Sequence, residues 1–293
     1  NAQKQGKIVV YFDSESAIDP NFLEQAGCDL SSLMYIQASS VEFVLETIEE
    51  LIGATSEKIL FIWDSLAFTP AISDVEGDFN PQSSMAMKAR ILAKGMSKLV
   101  IPIADQQATL LVLNQLKTNI PQGPNARIVA MTTPYITPGG KAMHYSYSLR
   151  IWLTGRKAKS SFVLDDKGFR IGSEVKIRLE KSRFGTQGRS CAFRILWGID
   201  KIGIRDEESW FDAIKGSDSL TSAGAWYTLA TSDGYTKKFQ PSKWTELVIN
   251  DSEFRERIIH LMDEEIVQKF HKREGDATAF YSEPEDLTVP LKE

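Results

Sequence analysis

The chain has 293 residues, 42% hydrophobic and 25% charged, an ordinary globular composition with ample apolar mass for a core. No apolar run approaches the roughly 20 residues of a membrane helix, and two distant cysteines, Cys28 and Cys191, exclude a disulfide framework and are expected to stay reduced. The net charge of −5 is uneven: residues 140–189 hold twelve Lys/Arg against four Asp/Glu, while 273–293 hold six acids and two bases. A basic stretch beside an acidic tail fits a phosphate-backbone binder, and equally a solvated surface with a disordered tail. His144, His260 and His271 form no paired ligand spacing, so a zinc site is not expected. The first residue is Asn1 and no signal-peptide pattern follows, so a soluble, intracellular chain with a cut start is expected.

In chain order, residues 1–6 (NAQKQG) read as a helix end with a glycine C-cap, directly before KIVVYFD at 7–13. That apolar run ends in a carboxylate, as does ILFIWD at 59–64; ATLLVLN at 108–114 ends in an amide. Continuous apolar runs of this length read as strands buried on both faces, hence parallel. Between them, Ser39 and Glu42 form a capping-box signal before a helix with Val41, Val44, Ile48 and Leu51 on one face. A second helix is expected over about 84–100. Strand–helix–strand alternation implies a right-handed, mostly parallel α/β sheet.

From Tyr145 the texture changes to alternating segments (SYSLRIWLTGR, SSFVLDDKGFRI, EVKIRLEKSR, CAFRILWGI) that read as antiparallel strands, with a turn at Asp166, Lys167 and Gly168. Residues 209–214, SAGAWYTLA and 253–270 read as a small mixed unit, and the chain after His271 as disordered. The expected domains are an α/β core over 1–205, a small C-terminal α+β unit over 206–272, and an acidic tail over 273–293.

Ligands of open parallel sheets bind at the carboxyl ends of the strands. Three polar groups sit there: Asp13, Ser14 and Glu15; Asp64 and Ser65; Asn114 and Gln115. Together they fit a nucleotide-hydrolysing site, and the Asp64–Ser65 pair after ILFIW has the form of a Walker B strand, whose Asp holds Mg²⁺ through water. The G-x-x-x-x-G-K-[ST] phosphate loop that accompanies such a strand is absent from these residues. The nearest string, Gly139-Gly140-Lys141, continues with Ala142. The expectation is a chain that begins just after that loop and is itself inactive without it.

VVYFDSESAIDP, ILFIWDSLAFTP, TLLVLNQ, TPGGKAM, EKSR and AGAWY, in this order, resemble the RecA-type recombinases over about residues 7–226, and EKSR resembles the phage UvsX branch. The resemblance implies a RecA-like ATPase core, ATP and Mg²⁺ as cofactors, and DNA-dependent ATP hydrolysis. It implies that Glu15 orients or deprotonates the attacking water, that Asp19 and Phe22 contact adenine, and that Asp64 and Ser65 lie on the Mg²⁺ side. It implies that Gln115 senses the γ-phosphate, and that Lys181 and Arg183 reach a neighbouring subunit's γ-phosphate. A first DNA loop falls at about 74–83, with Gly77, Asn80 and Gln82. A second, long and irregular, runs from about 116 to 138, bringing Lys117, Tyr135, Gly139, Gly140 and Lys141 to DNA. The implied partners are single- and double-stranded DNA, further copies in a helical filament, and mediator and single-strand-binding proteins, with no membrane; the implied location is the cytoplasm, that of a bacterial host if phage-encoded. The implied function is homologous pairing and strand exchange. Two other readings stay open: a filament regulator without strand exchange, and a hexameric RecA-fold helicase motor.

Overall fold

The computed structural model describes residues 1–77, 87–133, 135–155, 159–185, 187–198 and 201–264. Asn80, Gln82 and the acidic tail lie outside them. The chain divides into two compact units, Asn1–Tyr147 and Ser148–Glu293.

The first unit runs β1 (Ile8–Asp13), α1 (Pro20–Gln25), β2 (Leu33–Gln37), α2 (Val41–Ala54), β3 (Ile59–Asp64), α3 (Ile72–Glu76), α4 (Met87–Asp105), β4 (Thr109–Val112), β5 (Lys117–Thr118), α5 (Ala126–Thr132), β6 (Tyr135–Ile136) and α6 (Gly140–Ser146). Its main sheet has the order β2-β1-β3-β4, every pairing parallel. The three expected strands are all in it. The fourth, β2, was hidden in LMYIQ, a short run with exposed side chains.

Strand alternation divides the side chains of β1 between two faces. Val10 and Phe12 join Ile59, Phe61 and Trp63 of β3 in a core closed by Val44 and Ile48 of α2, Leu92, Met96 and Leu99 of α4, and Met143 of α6. Burying a side chain of this size contributes about 1.5–3 kcal/mol. Tyr11 and Asp13 point the other way, and the site is built from that alternation.

Helix α2 starts one residue later than the Ser39 box predicts. Ser40 is the N-cap and accepts from the Phe43 amide at 3.1 Å, which sets Val41, Val44 and Ile48 against the sheet. Glu42 does not reach back; it accepts from the Ile72 amide at 3.1 Å. Helix α4 continues past Val100 to Asp105, with Pro102 inside its last turn. Gly6 follows a short 3₁₀ turn, Gln3–Gln5, as the glycine cap expected.

The second unit opens with β7 (Leu149–Gly155), β8 (Phe162–Leu164), β9 (Arg170–Ser182), β10 (Ser190–Gly198) and β11 (Lys201–Arg205). Their order is β11-β10-β9-β7, with β8 on β9, all antiparallel. At the β8–β9 turn the Asp165 carboxylate accepts from the amides of Lys167 (3.0 Å) and Phe169 (2.7 Å), and Gly168 takes φ +83°.

A small α+β module follows: α7 (Glu207–Ile214), β12 (Leu220–Ala223), β13 (Trp226–Ala230), β14 (Thr236–Phe239), α8 (Trp244–Asn250) and α9 (Ser252–Met262). Its own core holds Ile214, Leu229, Phe239, Trp244, Phe254 and Ile258. Among the described residues no helix is long and apolar enough to cross a membrane.

Candidate nucleotide site

The site forms where β1 and β3 end side by side, with Asp13 and Asp64 as register partners. Asp13 is only 1% exposed. Its Oδ1 accepts from the amides of Glu15 (2.9 Å) and Ser16 (2.8 Å), which turns the chain sharply enough to hold Ser16 at φ +53°. Its Oδ2 accepts from the Tyr35 hydroxyl at 2.8 Å. A buried carboxylate is tolerated only when its lone pairs are met in this way.

The turn is locked to β3. The Ser14 amide donates to the Asp64 carbonyl at 2.8 Å, and Ser14 Oγ accepts from the Ser65 amide at 2.8 Å. The Asp64–Ser65 peptide is cis. Ser65 Oγ donates to Glu15 Oε1 at 2.6 Å, so the structure brings Glu15, Asp64 and Ser65 together as the strand-end pattern predicts. Glu15 is exposed and can meet water while Ser65 engages one of its oxygens. Asp64 Oδ2 accepts from the Tyr11 hydroxyl at 2.6 Å. Burial first, then the Asp64 bond and the Asp64, Asp13 and Glu15 charges, push the Tyr11 phenol well above its usual range.

Asp19 is the N-cap of α1, accepting from the Asn21 amide at 2.9 Å. Phe22, on the same short helix, is 42% exposed, which leaves a ring face for stacking. Gln115 lies exposed just past β4, its amide donating to Asn114 Oδ1 at 2.9 Å. Asn114 Nδ2 in turn donates to the Pro138 carbonyl at 2.9 Å, so one side chain ties both ends of the 115–138 segment.

That segment is not the irregular loop the Gly/Pro content implies. Strands β5 and β6 pair antiparallel around α5, and Asn119 Nδ2 donates to the Thr133 carbonyl at 2.8 Å. The register pairs Lys117 with Ile136 and Thr118 with Tyr135, so Lys117 and Tyr135 occupy opposite faces of the ribbon.

Gly139 and Gly140 take φ +102° and +73°. A Cβ on Gly139 would sit 2.9 Å from Met143 Cγ and 3.0 Å from Leu66 Cδ2. The pair therefore packs α6 against α4 and the turn after Ser65, with Lys141 exposed on α6. Gly139→Ala combines a left-handed backbone with overpacking and is expected to cost about 2 kcal/mol, read as a lower urea midpoint. A glycine needed only for close approach of DNA would leave that midpoint unchanged. Gly77 ends α3 and is exposed.

Two kinds of residue escaped the sequence reading. Tyr11 stands inside the apolar run 7–13, and Tyr35 lies in β2, which was not expected as a strand. Lys88 lies in the helix expected over about 84–100 and was given no role; its ammonium donates to the carbonyls of Leu66 (2.7 Å), Ala67 (3.3 Å) and Thr69 (2.6 Å), anchoring the turn that follows Ser65. Burial lowers its pKa against the opposing pull of Asp74.

In the second unit, Lys181 pairs in register with Arg150 at the β7–β9 end, and the Arg183 amide donates to the Ser148 carbonyl at 3.0 Å. Burial, then the charges of Arg183 and Arg150, lower the Lys181 pKa. Lys181, Arg183 and Arg150 thus lie near one another at one strand end.

The family model described as "RecA N-terminal domain" matches residues 1–202. Among curated relatives, "Protein RecA" of Leptospira biflexa serovar Patoc is 27% identical over 226 residues, 77% of this chain and 54% of that protein. "Protein RecA" of Fusobacterium nucleatum subsp. nucleatum is 29% identical over 231 residues, 78% and 56%. The chain spans little more than half the length of these relatives. Among solved structures, one described as "Crystal structure of the RadB recombinase" aligns with a TM-score of 0.44 at 19% identity, covering 66% of this chain and 77% of that one.

Proposed function

We propose, from the premise that this chain belongs to the RecA N-terminal domain family, that it carries the ATP-hydrolysing site of a DNA recombinase that forms filaments on single-stranded DNA and promotes pairing and strand exchange. The observation that carries this reading is the interlock of Glu15, Ser65 and Asp64 at the ends of adjacent parallel strands. The EKSR string, residues 180–183, supports placement in the phage UvsX branch, with the cytoplasm of a bacterial host as the working location. The proposed domains are 1–205 for the ATPase core and 206–272 for the C-terminal unit.

The donor chemistry suits Mg²⁺. Asp64 offers a hard carboxylate oxygen and Ser65 a hydroxyl, and a single protein carboxylate leaves the other positions to water and phosphate. When bound, Mg²⁺ would neutralise charge on the phosphate oxygens. Asp64 would hold it through water. Glu15, fixed on one oxygen by Ser65, orients the attacking water and takes its proton. Phe22 stacks on adenine and Asp19 fixes the helix that presents it. Gln115 reads the γ-phosphate, and its place beside Asn114 passes that state to the ribbon of Lys117 and Tyr135. The proposed DNA contacts are Lys117 and Tyr135 on the two faces of that ribbon, Lys141, Gly77 and, outside the described residues, Asn80 and Gln82. Lys181 and Arg183 meet the phosphate of a neighbouring copy.

The test is ATP hydrolysis, D-loop formation and electron microscopy of the full natural chain. DNA-stimulated hydrolysis, helical filaments and D-loops are expected. Filaments without D-loops would replace this reading with a filament regulator, and closed rings with a helicase-type motor.

A further inference from the structure

Tyr11 and Tyr35 are register partners on adjacent strands, and both make the same kind of contact. Tyr35 on β2 reaches diagonally, two levels along, to Asp13 on β1 (2.8 Å). Tyr11 on β1 makes the same step to Asp64 on β3 (2.6 Å). Period-two alternation puts both tyrosines and both carboxylates on one face of the sheet, opposite the helix-covered core. The two contacts thus form a ladder across three strands that ends at the nucleotide site.

The rungs act on different parts of that site. Asp64 is a strand-end carboxylate whose plane can rotate about its last torsion, because such sp³–sp² torsions are broad; a short bond to one oxygen removes that freedom and directs the other oxygen. Asp13 is fully engaged: the Tyr35 bond fixes one oxygen while the other holds the amides of Glu15 and Ser16. Tyr35 therefore bears on where the Glu15 backbone sits, and Tyr11 on where the Asp64 carboxylate points.

We propose that Tyr11 and Tyr35 are positioning residues of the nucleotide site, Tyr11 setting the Asp64 carboxylate for a hydrated divalent cation and Tyr35 setting, through Asp13, the turn that presents Glu15. This rests on the reading of the site given above. Elsewhere, the groove lined by Arg194, Arg205, Glu208 and Asp212 holds arginines already paired with Glu208 and Glu207 and points to no ligand.

The experiment measures Mn²⁺ affinity by electron paramagnetic resonance, with a non-hydrolysable ATP analogue, on the full natural chain and on Tyr11→Phe and Tyr35→Phe. Each variant loses one hydroxyl and keeps its ring. Tyr11→Phe is expected to raise the Mn²⁺ Kd about five-fold, the equivalent of one hydrogen bond of ordinary net strength. Tyr35→Phe is expected to lower kcat about five-fold while moving the Mn²⁺ Kd less than about two-fold. Where Tyr11→Phe does not fold, 3-fluorotyrosine at position 11 keeps the hydroxyl and makes it a stronger donor, and an unmoved Mn²⁺ Kd then overturns the proposal. Variants that shift the urea midpoint alone, with Kd and kcat unchanged, also overturn it, because the ladder would then only hold the sheet. If the parent chain binds nucleotide and Mn²⁺, the site reading stands whatever the variants do; if it binds neither, that reading falls and the proposal falls with it.

Discussion

Glu15→Gln is expected to lower DNA-stimulated ATP turnover by about 10²–10⁴-fold, the usual contribution of a positioned general base. The substitution is nearly isosteric, and an amide oxygen can still accept the Ser65 hydroxyl bond that Glu15 Oε1 accepts at 2.6 Å. What disappears is the negative charge and the capacity to take a proton from water. Because the Asp13 bonds go to the Glu15 and Ser16 backbone amides and not to the Glu15 side chain, the turn itself survives. The expected result is therefore a kcat effect with nucleotide affinity and urea midpoint near those of the parent. Turnover within about three-fold of the parent would remove Glu15 from the chemistry and leave it as a strand-end cap.

The second large effect is at the cationic strand end. Lys181→Ala is expected to reduce turnover on DNA by about 10³-fold, the lower end of what a cation supplied in trans to a phosphoryl-transfer site provides. Burial and the neighbouring Arg183 and Arg150 charges lower the Lys181 pKa, and on the proposed reading its ammonium would meet the triphosphate of a neighbouring copy. An effect that depends on a neighbouring copy has a signature: mixing Lys181→Ala with Glu15→Gln protein should restore hydrolysis at those interfaces where an intact Lys181 meets an intact Glu15. If Lys181 merely belongs to a solvated basic strand, turnover stays within about two-fold of the parent.

The sheet was legible because β1 and β3 are nearly continuous apolar runs of strand length. The burial on both faces that such runs imply is not found: β3 buries only alternate residues, and the other face is half-buried. Their terminal Asp13 and Asp64 were legible for the same reason, as abrupt polarity at the end of an apolar run. The Ser40 cap was missed by one position because Ser39 and Ser40 are chemically equivalent as acceptors; packing of Val41 and Val44 decided between them. The β5–α5–β6 fold of the 115–138 segment was masked by its prolines and glycines, since two-residue strands have no periodicity to detect. Tyr11, Tyr35 and Lys88 were invisible for a different reason. Their partners lie 19 to 53 residues away in sequence, and nothing local distinguishes a tyrosine that holds a carboxylate from one that only packs.

The Asn114 side chain has a kinetic implication. By accepting from Gln115 and donating to Pro138, it holds shut a loop of 24 residues, whose closure from a free chain costs roughly 3 kcal/mol of entropy. On the proposed reading that this ribbon contacts DNA, a ribbon clasped at its base searches a smaller volume before it meets a strand. Its capture step should resemble the docking of a preformed surface more than the folding of a disordered arm, with a fast association rate that depends weakly on temperature.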